Sequence, residues 1–105
     1  MTTCSTHVLD AALGRPAAGL RVHLGGPAGE VLATGATDAD GRLRFEVDLQ
    51  PGAHTLSFET GDWFAAAGRA TLYPLVGLTF QAEAEEHYHL ALLLSPYSYT
   101  TYRGS

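Results

Sequence analysis

The sequence predicts an all-β protein, a small antiparallel β-sandwich with one short helix. Three observations carry this. Short apolar runs recur with period-two alternation, Gly, Pro and Asp turn chemistry separates them, and one stretch reads as a helix.

The elements follow in order. "THVLDA" is a brief run of β-branched and apolar residues, ended by the turn-rich "LGRPAAG". "LRVHL" sets Leu20, Val22 and Leu24 on one face against Arg21 and His23 on the other. After the turn "GGPAGE" comes the strand candidate "VLATGATD", and "DADG" is a tight turn. "RLRFEVDL" alternates cleanly, with Leu43, Phe45, Val47 and Leu49 inward. "QPGAH" turns the chain into "HTLSFET". "GDWFAAAG" is the helix, with Asp62 near its start and Gly68 as its stop. "VGLTFQAEA", "HYHLALLL" and "YSYTTYR" supply the last strands, and "SP" breaks the final two apart.

Residues 1–105 read as a single domain: the length suits one core and is too short for two ordinary domains. The formal net charge of −5, with six arginines, no lysine and no basic cluster, excludes an ordinary nucleic-acid binder. No apolar run approaches the roughly 20 residues of a membrane-spanning helix. Cys4 is the only cysteine, so no internal disulfide forms. "MTTCSTHVLD" has neither a basic start nor an apolar segment of the secretory kind, and a cytoplasmic location is expected.

The end of the chain does not fit a sandwich standing alone. In "HYHLALLL", Tyr88, Leu90, Leu92 and Leu94 make the natural core face, while His87, His89, Ala91 and Leu93 make the other. In "SYTTYR", Ser98, Thr100 and Tyr102 lie opposite Tyr99, Thr101 and Arg103. Both faces of this terminal hairpin carry residues that prefer to be covered, so a homo-oligomer is expected.

His7, His23, His54, His87 and His89 are many for so short a chain. His23 and His54 read as solvent-facing or hydrogen-bonded structural residues. His87 and His89 share a strand face about 6.8 Å apart, a spacing that suits either metal ligation or divided acid–base work. No third Cys or His completes a zinc set, so neither metal nor cofactor is expected. "DADG" lacks the twelfth-position glutamate of a calcium loop and reads as a plain turn. Ser95, which precedes Pro96, sits in no nucleophile elbow.

Taken together, "THVLDAALGRPAAGLRVHL", "TDADGR", "YPLVGLTF" and "HYHLALLLSPYSYTTYRGS" closely resemble the 5-hydroxyisourate hydrolase family of transthyretin-related proteins, from Ser5 to Ser105. The closing Tyr-Arg-Gly-Ser is the signature that separates these hydrolases from transthyretin, the hormone carrier of the same fold. One position departs: Ala91 stands where the family usually has proline. The resemblance implies a transthyretin-like sandwich of two four-stranded sheets and a homotetramer, a dimer of dimers with active sites where the dimers meet. It implies hydrolysis of the N1–C6 amide of 5-hydroxyisourate to 2-oxo-4-hydroxy-4-carboxy-5-ureidoimidazoline, between urate and allantoin. The alternative is a small-molecule carrier without catalysis.

Residue by residue, the resemblance implies His7, Arg42, His89 and Ser105 as catalytic, and His7, Arg42, His87, Tyr102 and Arg103 as substrate-binding. His7 and His89, both neutral, would activate a water. Arg42 would hold the anionic substrate and polarise its carbonyl. Tyr102 and Arg103 would close the pocket, and the Ser105 hydroxyl or carboxylate would orient a histidine or the substrate. Strand pairing is expected to stop just before these last four residues.

Overall fold

The computed structural model describes residues 1–105. β1 (Thr3–Asp10) buries Cys4, Thr6, Val8 and Asp10 and turns Ser5, His7 and Leu9 outward. It begins before the expected "THVLDA", and the extra residues bring Ser5 onto the outer face. After the two-residue β2 (Arg15–Pro16) come β3 (Arg21–Gly25) and β4 (Val31–Ala36), then β5 (Arg42–Phe45). β6 (Gly52–Phe58) leads into α1 (Thr60–Ala66), followed by β7 (Val76–Ala82), β8 (His87–Ser95) and β9 (Ser98–Gly104).

One sheet has the order β4-β3-β6-β7; the other runs β2-β1-β8-β9, with β5 also paired to β1. β5 takes Cys4 to His7 of β1 and β2 takes Leu9 and Asp10, so the two share one edge and that sheet stays four strands wide. The expected pair of four-stranded layers is therefore present, with β2 as an added fragment. The expectation of purely antiparallel pairing fails at one place: β1 and β8 run parallel, from Thr3 opposite His87 to Asp10 opposite Leu94. Parallel neighbours need a long crossover, and here the whole second sheet and the helix supply it.

The "RLRFEVDL" run is shorter as a strand than its alternation suggests. β5 ends at Phe45, yet Phe45 and Leu49 are buried and Val47 half-buried, so the inward face continues without ladder bonds. α1 docks through the fully buried Phe64, and Gly68 follows it at φ 69°, a left-handed turn that closes the helix. Leu20, Val22, Leu24, Leu56, Phe58, Val76, Leu92 and Leu94 fill the core between the sheets with Cys4 and Val8.

β9 overturns one expectation. Its ladder to β8 runs through the terminal motif, with Tyr102 opposite Ala91, Arg103 opposite Leu90 and Gly104 opposite His89. The end of the chain is thus a strand of the sheet, and removing the last four residues would strip three of its pairs.

Candidate active site

The register of the β1-containing sheet lays side chains in two rows across its outer face. One row runs Arg44, Ser5, His89, Gly104; the other runs Arg42, His7, Ala91, Tyr102. Side chains directly opposite on neighbouring strands are in contact range, so four strands converge on one patch. Asp38, Arg42, Arg44, Ser5 and His89 line a cavity of about 260 Å³ there.

A turn presents the arginine. Asp38 Oδ1 accepts hydrogen bonds from the backbone N–H of Arg42 and of Asp40, both at 2.9 Å. The Arg42 N–H bond first, and with it the Asp40 N–H bond and the neighbouring Arg42 and His7 side chains, hold the Asp38 carboxyl below its usual range against the opposing effect of burial. Gly41 sits at φ 78°, and a Cβ there would stand 2.3 Å from the Val8 carbonyl oxygen. Only glycine lets the turn lie this close to β1. "DADG" is a tight turn, as expected, and its work is to set Arg42 beside His7.

Each histidine is oriented through one nitrogen. His7 Nε2 lies 3.0 Å from the Asp40 carbonyl oxygen, which can only accept, so Nε2 carries the proton and Nδ1 is the free nitrogen of the neutral ring. His89 Nδ1 is engaged by Ser5 Oγ at 2.8 Å, which leaves its Nε2 free. The two ring centroids are 6.5 Å apart.

Burial lowers the pKa of His89, and the neighbouring His7, His87 and Arg42 lower it further. Burial and then Arg44 lower that of His87. The neutral imidazole, the form able to accept a proton, is favoured at both.

His7, Arg42, His89 and Tyr102 therefore share one face, with His87 at its margin. Ser105, exposed, follows Gly104, which pairs with His89. Arg103 is not brought to this group. It alternates to the opposite face, its guanidinium 4.5 Å from the Tyr88 ring centroid and its Nη2 donating to Glu86 Oε1 at 3.1 Å and to the His87 carbonyl oxygen at 3.3 Å. The reason is the period of two: a strand that points Tyr102 and the Gly104 position at the histidines must point Arg103 away.

Sequence reasoning passed over Ser5, Arg44 and the specific place of Gly104. The signal for the first two lay two residues from His7 and from Arg42 on their strands. The two remaining histidines behave as structural residues. His23 bonds Thr34 Oγ1 at 2.9 Å and Glu59 at 2.6 Å. His54 is buried in the other sheet with Nδ1 on the Gly52 carbonyl and Nε2 unpartnered.

The family model described as "HIUase/Transthyretin family" matches residues 4–104. The chain belongs to this family. It is 46% identical over 113 aligned positions to 5-hydroxyisourate hydrolase 2 of Rhizobium meliloti (strain 1021), covering 96% of this chain and 94% of that protein. The solved structure of Klebsiella pneumoniae 5-hydroxyisourate hydrolase superposes with a TM-score of 0.91 at 42% identity, each chain covered in full. Sea bream transthyretin in complex with thyroxine superposes with a TM-score of 0.90 at 31% identity, covering 96% of this chain and 93% of that one. Hydrolases and a thyroxine-bound transthyretin thus share the scaffold of this family, and the fold does not choose between them.

Proposed function

We propose that this protein hydrolyses 5-hydroxyisourate in urate degradation, opening the ring at the N1–C6 amide to give 2-oxo-4-hydroxy-4-carboxy-5-ureidoimidazoline. The observation that carries the reading is the convergence of His7, His89 and Arg42 on one sheet face, with two differently oriented imidazoles 6.5 Å apart. A carrier for an apolar ligand has no use for a pair of free imidazole nitrogens beside two guanidinium groups.

The chemistry follows from the geometry. His7 Nδ1 and His89 Nε2 hold a water between them, and His89 takes its proton as the oxygen attacks C6. Arg42, joined by Arg44 on the same face of β5, binds the anionic substrate and stabilises the oxyanion with N–H donors. Collapse of the tetrahedral intermediate breaks the N1–C6 bond, and the proton held by the histidines passes to the leaving nitrogen. Tyr102 bounds the pocket, and Ser105 lies at the His89 end. Arg103 acts from behind the sheet, fixing the end of β9 over Tyr88. No step calls on a metal or cofactor.

The assembly we infer is a homotetramer of two dimers in which this face meets its copy, with residues 1–105 as the repeating unit. Two features support it: Tyr102 is 56% exposed beside the site, and Leu78, Phe80, Leu90, Tyr99 and Tyr102 line an open cleft of about 420 Å³ between the β7 and β9 edges. Unpaired strand edges beside an apolar cleft suit edge-to-edge pairing with another copy. No helix is long and apolar enough to cross a membrane. The cytoplasm is the proposed compartment.

The test is a coupled ultraviolet assay in which urate oxidase generates 5-hydroxyisourate and its decay is followed with and without this protein, in the presence of chelator. Faster decay that survives chelation is the expected result. Decay at the spontaneous rate with folded protein present would overturn the reading in favour of a carrier.

A further inference from the structure

The outer face holds a hydrogen-bonded chain of side chains that runs away from the cavity. His89 Nδ1 meets Ser5 Oγ at 2.8 Å, Ser5 Oγ meets His87 Nε2 at 2.9 Å, and His87 Nδ1 meets Thr3 Oγ1 at 2.6 Å. Register explains the alternation of hydroxyl and imidazole: Thr3 lies opposite His87 and Ser5 opposite His89 on parallel strands, so every hydroxyl reaches the rings beside it.

A hydroxyl has one proton to give and two lone pairs to receive with. Ser5 therefore cannot donate to both rings at once, and at least one of them must donate to it. When His89 donates from Nδ1, Ser5 donates onward to His87 Nε2, and His87 donates from Nδ1 to Thr3. In that order His89 Nε2 is bare.

We propose that Ser5 is a positioning residue of the reaction, coupling His89 to His87 so that the two imidazoles take up and return one proton as a unit. The inference rests on the reading of His89 as the base. The proton count closes. A proton arriving from water at His89 Nε2 is matched by transfer of the Nδ1 proton to Ser5 Oγ and of the Ser5 proton to His87 Nε2. His89 ends neutral, with its proton now on Nε2, and His87 becomes the imidazolium. Reversal of the same transfers returns the proton through Nε2 to the leaving nitrogen.

The arrangement has an electrostatic advantage. The outer face around His89 carries His7 from β1, Arg42 and Arg44 from β5 and His87 from β8, while β9 brings Gly104. A cation left on His89 would stand among His7, His87 and Arg42, whereas on His87, which is exposed, it would face Arg44. Burial disfavours the charged form at the half-buried His89, as it does at His87.

The experiment combines long-range proton–nitrogen NMR of the histidine rings with kinetics on Ser5→Ala and Ser5→Thr. Ser5→Ala removes one half-buried hydroxyl and no core contact, so the sheet should survive. The native protein should show His89 protonated at Nδ1 with Nε2 bare, and Ser5→Ala should lose that preference. kcat should fall by roughly tenfold to a hundredfold, less than the ~10²–10⁴ of losing a general base outright, with KM nearly unchanged. Ser5→Thr, which keeps the hydroxyl, should restore both. In the Ser5→Ala background, His87→Ala should cost nothing more, because the coupling is already cut. An unchanged His89 tautomer in Ser5→Ala, or an unchanged kcat, would overturn the proposal. The ring spectra decide it even if the chain proves not to hydrolyse 5-hydroxyisourate.

Discussion

The His89 ring rests against Gly104: a Cβ built on that glycine would stand 2.5 Å from His89 Cδ2 and 3.5 Å from Nε2. The glycine of the terminal motif is required by the space beside it. With Ser5 holding the opposite side of the ring, the imidazole is fixed between a hydroxyl on β1 and a bare backbone on β9.

Gly104→Ala should therefore act on His89 and spare the fold. Real Cβ contacts do not come so close, so the ring must swing and the Ser5 hydrogen bond must stretch. Displacing a reacting group by about 1 Å can cost on the order of 10²-fold in rate, and a loss of that size in kcat is expected. The thermal midpoint should move little, since the residue closes β9 and lies outside the core. Near-native turnover would show that the ring has room the structure does not give it.

The three groups at the centre should separate by kind. His7→Ala and His89→Ala should each lower kcat by about 10²–10⁴ with an unchanged circular dichroism spectrum. Arg42→Lys should also be costly despite keeping the charge, because an ammonium cannot offer paired planar donors. If Arg42→Lys retains native kcat/KM, Arg42 acts as a point charge and does not grip the oxyanion.

Alternation alone locates much of this. It places His87 and His89 on the face away from Tyr88, Leu90 and Leu92, and Tyr102 opposite Arg103. What it cannot reveal is which strands become neighbours. Ser5 gains its meaning only because β1 runs parallel to β8, a pairing between residues more than eighty positions apart in the chain. No local pattern encodes that. Gly104 was legible as part of a motif but its reason was not, since the atom that forbids a side chain belongs to His89. Arg103 shows the reverse case: the motif groups it with Tyr102, and the pleat separates them.

The histidines set a pH dependence with a definite sign. His89 and His87 have folded-state pKa values below the ordinary 6.5. Their contribution to stability is complete above pH 6.5 and is lost as pH falls through the lowered values, because the unfolded chain takes up protons first. The thermal midpoint should fall as the buffer goes from pH 7 toward pH 5, and His89→Gln should flatten that slope. For catalysis, the same shift keeps the base unprotonated and extends activity to the acid side of 6.5. A midpoint that rises on acidification through this window would contradict the sign.

The last prediction concerns the ion pair behind the site. Asp10, at the inner end of β1, is 1% exposed, and Arg69 Nη1 donates to its Oδ2 at 2.6 Å. Burial works to raise the Asp10 carboxyl, but the Arg69 hydrogen bond and the backbone N–H groups of Leu13 and Ala12 override it, and the pKa lies below the usual range. Arg69 is itself stacked on aromatic rings, 4.8 Å from Phe64 and 5.9 Å from Trp63, so the pair ties β1 to α1. Arg69→Ala leaves a buried carboxylate with backbone donors only, and should destabilise the fold by about 3–5 kcal/mol in urea unfolding. Asp10→Asn with Arg69→Met, which removes both charges together, should cost much less than Arg69→Ala alone. If the single and double variants unfold at the same urea concentration, the loss comes from the packing of the Arg69 stem on Phe64 and not from the stranded charge.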